Sequence, residues 1–260
     1  MSKIEQPAGP AATKVPEVNT GFWAIKIVAT TLGEVGGNAV TLTLGLGYLA
    51  GTAIFASALV VLLAAQFRAL RFHPLLYWAV ITATTLAGTT LADFCDRSLG
   101  IGYLGGSLLL LAAVVATLLL WKHTLGTVAV ETVRSPRAEG FYWATIMFSQ
   151  TLGTALGDWM ADSTGLGYNG SALLILAALT GTAALYSRTR ISRPLLFWTA
   201  FVLTRPLGAT LANSFDKPPA SGGLGISDIT ITAALAVLMV ACVLAIPQRA
   251  GGHPGSANAA

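Results

Sequence analysis

The chain has 260 residues, 54% of them hydrophobic and 10% charged, where a soluble domain carries about 25% charged residues. That composition excludes a soluble globular domain, and apolar runs of about 20 residues are long enough to cross a hydrocarbon core of roughly 30 Å. The net charge of +4 is read as topology and not as a nucleic-acid surface.

The first segment, residues 1–20, is polar and contains proline. It lacks the apolar run of a secretory signal and is expected to be a disordered cytosolic tail. Hydropathy then predicts eight spans: Phe22–Thr43, Gly47–Ala65, Pro74–Ala92, Gly102–Leu120, Phe141–Met160, Gly167–Tyr186, Pro194–Asn213 and Ile226–Ile246. They divide into a first half (21–125), a cytosolic linker (126–138) and a second half (139–247), followed by a second disordered tail (248–260). Eleven of the 15 Lys and Arg residues fall in the tails or in the loops after the second, fourth and sixth spans. The opposite loops hold only Arg97 and Lys217, while Lys26 and Arg205 lie within spans. The positive-inside rule therefore places both termini in the cytosol. The outer turns carry Asp96, Asp162 and Asp216, read either as hydrated turns or as an anionic vestibule that concentrates cations.

Trp23, Trp78, Trp143 and Trp198 mark four copies of one unit. Ten residues beyond each stands a glycine (Gly33, Gly88, Gly153, Gly208), and fifteen beyond stands Asn38, Asp93, Asp158 or Asn213. Three copies continue with GLGY, GIGY and GLGY at Gly45–Tyr48, Gly100–Tyr103 and Gly165–Tyr168, and the fourth reads GLGIS at Gly223–Ser227. Glycine lets the backbone turn tightly with positive φ. Copies one and three open with GFW and GFYW, copies two and four with HPLLYW and RPLLFW, so the chain reads as two similar halves. The expected fold class is an all-α integral membrane protein of eight transmembrane helices, built as four helical hairpins repeated in parallel about an axis along the membrane normal. The tryptophans are expected to be interfacial anchors.

Counting from each Trp to positions +3, +7, +11 and +15 follows one helix face. The stripes read Lys26, Thr30, Glu34, Asn38; Ile81, Thr85, Thr89, Asp93; Ile146, Gln150, Thr154, Asp158; and Phe201, Arg205, Ala209, Asn213. The second helices are nearly bare of such residues, as in GTAIFASALVVLLAA, and can face lipid. The striped helices must face one another, because ionisable groups in hydrocarbon cost several kcal/mol or more unless paired or hydrated. The stripes then stack into layers. Glu34 lies about 12 Å along the axis from Lys26 on its own helix, so Arg205 on a neighbouring helix is its more plausible partner. Pro206 after Arg205 is expected to bend its helix, either as an ordinary kink or as the mark of a transport site. Gly33, Gly36 and Gly37 permit close helix approach, or a backbone opened to line a cavity.

The expected cation- and proton-binding residues are Glu34, Asn38, Asp93, Asp158 and Asn213, with Glu34, Asp93 and Asp158 as metal ligands. Lys26 and Arg205 are expected to provide coupling or counter-charge, and Thr30, Thr85, Thr89, Gln150 and Thr154 a polar pathway. Oxygen donors without thiol or imidazole suit hard cations such as Mg²⁺ and Mn²⁺, or Ca²⁺, Na⁺ and protons. The function expected is transport of a hard cation, in particular a divalent one, with protons as counter-ion. The partners are the bilayer, a small inorganic cation and protons, without nucleic acid; no cofactor is expected beyond a divalent cation as substrate. The alternatives are a membrane sensor or assembly protein with a structural polar axis, and, ranked last, an intramembrane enzyme, since no GxSxG, HExxH or Cys/His pair is present. Cys95 and Cys242 are expected to be free thiols.

The segments KVPEV and FWAIKIVATTLGEVGGNAVTLTLGLGYLAGTAIF, with the repeated FW/YW–TLG–GLGY pattern, resemble a bacterial family of uncharacterised multi-pass membrane, or membrane-anchored, proteins. The resemblance covers nearly the whole chain and implies an integral inner-membrane protein. The family pattern has Asp where this chain has Asn38, so one anionic ligand is missing here.

Overall fold

The computed structural model describes residues 13–252. Eight long helices follow in order: α1 (Thr20–Asn38), α2 (Gly47–Arg68), α3 (Pro74–Asp93), α4 (Tyr103–Leu125), α5 (Pro136–Asp158), α6 (Gly167–Arg188), α7 (Arg193–Asp216) and α8 (Asp228–Ala245). Their starts are chemically marked. Asn19 accepts from the Phe22 amide and Ser135 from the Ala138 amide, and Pro74, Pro136 and Pro194 stand in first turns, where a missing amide hydrogen costs nothing. In three copies the inner helix ends in a π-helical turn (Ala39–Thr43, Phe94–Ser98, Trp159–Ser163). Both glycines of each following GLG or GIG then turn the chain, with φ between 63° and 77°.

This is an all-α membrane fold of four repeats. α2, α3, α4, α6, α7 and α8 are each long and apolar enough to cross a membrane by composition alone. The other two, α1 and α5, carry charged and amide groups and stand in the same layer. The odd-numbered helices form a closed ring, α1 beside α3, α3 beside α5, α5 beside α7 and α7 beside α1. The even-numbered helices stand outside. Of the apolar stretches of α3 and α7, 67% is buried, against 11–22% in α2, α4, α6 and α8, so the bare helices do face outward. They do not lie against their own hairpin partners. α2 packs on α3, α4 on α5, α6 on α7, and α8 closes the circle on α1.

The tight contacts of the ring explain the repeated glycines. A Cβ on Gly33 would run into Thr85, one on Gly88 into Gln150 and Thr151, one on Gly153 into Arg205 and Pro206, and one on Gly208 into Thr30. Each +10 glycine thus receives the +7 residue of the next repeat around the ring. Gly36 and Gly37 of α1 are likewise packed, against Leu86 and Thr89, so they serve helix packing and not an opened backbone.

The Trp-bearing end departs from expectation. Trp78, Trp143 and Trp198 are not lipid-facing anchors but are almost fully buried, while Trp23 is partly buried. They pack with Tyr77, Tyr142 and Phe201 into an aromatic layer that closes the ring at this end. The Tyr77 and Tyr142 hydroxyls meet at 2.5 Å. Two of the buried indole N–H groups donate, to Gln248 Oε1 (from Trp78, 2.5 Å) and to the Val128 carbonyl (from Trp198, 3.0 Å), whereas those of Trp121 and Trp143 have no partner among the described residues.

The expected disordered tails are also corrected in their inner parts. Thr13 donates to the Val133 carbonyl at 3.0 Å, Lys14 pairs with buried Glu139 at 2.6 Å, and Pro16 forms an antiparallel bridge with Ala250. Residues 13–19 and 248–252 therefore strap the aromatic layer; the remainder of both expected tails, with His253, lies outside the described residues. The 126–138 linker packs too, through Val130 and Val133.

Gly88→Val should lower the melting temperature sharply in detergent, because its side chain would meet backbone of Gln150 and Thr151. Overpacking of this kind costs about 1–3 kcal/mol or more. Gly181→Ala in α6, with open space around it, should leave stability equal or raise it by up to about 1 kcal/mol. A thermal melt of both variants checks the contrast.

Candidate functional site

The ring places the four stripes around one axis. At its centre Arg205, fully buried on α7, reaches the other three inner helices through one nitrogen. Nη2 lies 2.9 Å from Glu34 Oε2 on α1, 2.5 Å from Thr89 Oγ1 on α3 and 2.5 Å from Thr154 Oγ1 on α5. The expected Glu34–Arg205 partnership is thus formed. The fourth member of that layer is Ala209 of α7, itself fully buried, and the Arg205 head occupies the layer where Ala209 supplies no polar atom. Pro206 does not interrupt α7, which is continuous from Arg193 to Asp216. It packs instead against Gly153 and Gly157 of α5.

Thr30 and Thr85, expected in a polar pathway, are engaged by helix backbone. Their hydroxyls donate to backbone carbonyls of the preceding inner helix, Thr30 to Thr204 and Thr85 to Ala29, each at 3.3 Å, as well as to carbonyls one turn back. Thr89 makes a similar bond to Gly33 O at 3.1 Å. These threonines tie helices together, as hydroxyls do in membranes.

Toward the Trp end the axis is polar but unmatched. Lys26 is fully buried, with Nζ 3.6 Å above the centroid of the Phe201 ring. Among the described residues Lys26 Nζ, both Gln150 amide atoms, and Arg205 Nε and Nη1 have no hydrogen-bond partner.

Toward the glycine turns stands the Asn38, Asp93, Asp158 and Asn213 layer, all four buried. Arg97, assigned from sequence only to an outer loop, enters this layer. Its Nε lies 2.9 Å from Asp93 Oδ1 and its Nη2 3.2 Å from Asp158 Oδ2. Asn213 Nδ2 donates to Asp158 Oδ1 at 3.4 Å. The i, i+4 spacing from Asp93 to Arg97 was the available signal; the widened π-turn that carries Arg97 to Asp158 on α5 was not readable.

The expected metal trio is therefore divided. Glu34 belongs to Arg205, and Asp93 and Asp158 share Arg97. Among the described residues no three His, Cys, Asp or Glu side chains are grouped to hold a metal ion. The expected vestibule is also not assembled as such. Asp96 is buried against Gly106 of α4, Asp216 is half-buried and paired with Lys217 at 2.9 Å, and of the three only Asp162 is exposed, accepting from Tyr168 at 3.2 Å. A cavity of about 930 Å³ lies off the axis, lined by Trp23, Leu176, Leu179, Phe197 and Leu207 among others. Its lining is mainly apolar and omits the charged residues of the axis.

Arg205→Met would leave Glu34 as an uncompensated buried charge, at a cost of about 3–5 kcal/mol. Glu34→Gln/Arg205→Met should recover much of that loss. A double-mutant cycle by thermal melting in detergent measures it; additive losses would mean that the pair is not coupled.

The model of a family described as Repeat of Unknown Function (DUF347) matches the chain four times, at residues 21–72, 76–127, 141–192 and 196–246. Every match begins two residues before one of the four tryptophans used to mark the repeats. No curated protein and no solved structure matches the chain. The four matches occupy well over half of the sequence and coincide with the four units of the ring, and the chain belongs to the DUF347 repeat family.

Proposed function

We propose that this protein transports a small hard cation across a bacterial inner membrane, with protons as counter-ion, along the axis between α1, α3, α5 and α7. Both termini are then cytosolic, as the distribution of Lys and Arg indicates, and the protein is not an enzyme. The aromatic layer closes the cytosolic end, the Arg205–Glu34 pair bars the middle, and the Asp93–Asp158 layer faces the outside.

One observation carries this reading. Lys26 Nζ, the Gln150 amide and two nitrogens of Arg205 are buried on the axis without partners among the described residues. A polar network kept only to hold helices together is stable when every member is satisfied, and a half-satisfied one is worse than an apolar core. Orphaned side-chain atoms also occur off the axis, as at Ser107, Trp121 and Ser171, but those beside the buried ion pair belong to charged and amide groups, and such groups suit a path that water or an ion visits. Carboxylates matched by Arg205 and Arg97 also suit exchange, since a tethered cation can replace a mobile one at the same oxygens.

The second reading, a non-transporting assembly or sensor protein, is favoured by one feature: Arg205 joins four helices at a single point.

Flux into sealed proteoliposomes separates the two. An inward gradient of Mn²⁺, Mg²⁺ or Na⁺ should drive cation entry together with a pH change inside, above protein-free vesicles. Glu34→Gln should abolish that flux while the protein keeps its helical circular dichroism. Absence of flux for every cation tested, in vesicles shown to contain folded protein, would end the transport reading.

A further inference from the structure

Resting on the transport reading for its purpose, we propose that Arg97 is a built-in stand-in for a divalent hard cation, seated in a binding site formed by Asp93, Asp158 and the Asn213 carboxamide. The two carboxylates come from neighbouring helices and are 4% and 3% exposed. One guanidinium bridges them, Nε to Asp93 Oδ1 at 2.9 Å and Nη2 to Asp158 Oδ2 at 3.2 Å. These oxygens therefore already converge on one positive group.

Charge decides what else fits there. With both carboxylates ionised, a single guanidinium leaves the cluster one positive charge short, and a divalent ion would balance it. Donor chemistry agrees. Asn213 is buried, its Nδ2 donates to Asp158 Oδ1 at 3.4 Å, and its Oδ1 has no partner among the described residues. The amide nitrogen is the atom that faces Asp158 here; a half-turn of the carboxamide would present its oxygen there instead, and a carboxamide oxygen with two carboxylates is a hard-ion donor set. Glu34 is outside it, engaged by Arg205.

Arg97 is also the member able to leave. Its side chain is 41% exposed whereas both carboxylates are buried, and the Tyr103 ring lies 5.5 Å from its guanidinium carbon. It can swing outward without breaking α3. At the same repeat position the other copies carry Leu42, Asp162 and Lys217, and Lys217 is paired with Asp216. One basic side chain thus guards this layer. A divalent ion arriving from outside takes the carboxylates as Arg97 turns away, and Arg97 returns when the ion moves on, so the site is never left as bare buried charge.

Mn²⁺ binding to the purified full chain in lipid nanodiscs, read by loss of the free-ion electron paramagnetic resonance signal, tests this. Arg97→Gln should bind Mn²⁺ about tenfold more tightly than the native protein, a change equal to about 1.4 kcal/mol. Mg²⁺ should compete and Na⁺ should not. Arg97→Gln/Asp158→Asn should lose the gain. Unchanged Mn²⁺ affinity in a folded Arg97→Gln protein, or a gain that survives the added Asp158→Asn, overturns the assignment. If Arg97→Gln melts too early to be read, Arg97→Lys replaces it: a single ammonium cannot bridge both carboxylates as a guanidinium does, so tighter Mn²⁺ binding supports the site and unchanged affinity refutes it. Vesicle flux is read separately. Tighter binding without flux keeps the site and ends the transport reading, whereas flux without the Arg97 effect does the reverse.

Discussion

Everything in this molecule depends on how closely four helices approach one another. Gly33, Gly88, Gly153 and Gly208 each present a bare backbone to the +7 residue of the next repeat. With a side chain at any of the four, the helices would separate and the ring would open. Lipid tails are as apolar as leucine, so burial of greasy surface does little to hold helices together in a membrane. Close packing and inter-helix hydrogen bonds must do so. The glycines supply the first, and Thr30, Thr85 and Thr89, bonded to carbonyls of the neighbouring helix, supply the second.

The same contact explains why the repeats are not interchangeable. The +7 position is Thr, Thr, Gln and Arg in the four copies. A threonine ends at the neighbour's backbone. Arg205, starting from the equivalent place, passes Gly153 and continues to the level of Glu34, Thr89 and Thr154. One long side chain among three shorter ones turns a four-fold scaffold into an asymmetric site. The asymmetry costs desolvation of a guanidinium and a carboxylate, which their mutual attraction and two hydroxyl contacts offset. Arg97 repeats the device nearer the surface, again in a single copy, and there the cation is exposed enough to exchange.

The outer helices add closure of another kind. Since α2, α4, α6 and α8 each pack on the inner helix of the following repeat, no hairpin is a self-contained unit. The chain is interlocked around the circle, with α8 returning to α1. Residues 13–19 then cross the Trp end through Lys14 and Glu139, and Gln248 reaches the aromatic layer at Trp78.

Membrane character, four units, their register and the inward turn of the striped helices were all readable from residue spacing, because a repeat at fixed distance and a period of four residues are local properties. So was the Glu34–Arg205 pair, since two opposite charges in an apolar setting must find each other. What spacing cannot carry is distance across the ring. That Asp93 and Asp158 meet at Arg97 follows from a π-turn that shifts the backbone after Asp93. That tryptophans of an amphipathic type point inward follows from their being packed by strap and linker segments remote in sequence. The parting of the three carboxylates between two arginines was likewise a matter of tertiary structure. Sequence alone determined which face of each inner helix turns inward, because helix geometry aligns residues four apart. Only the packed ring decided which of them touch, because side-chain reach and helix separation are set jointly by all four crossings.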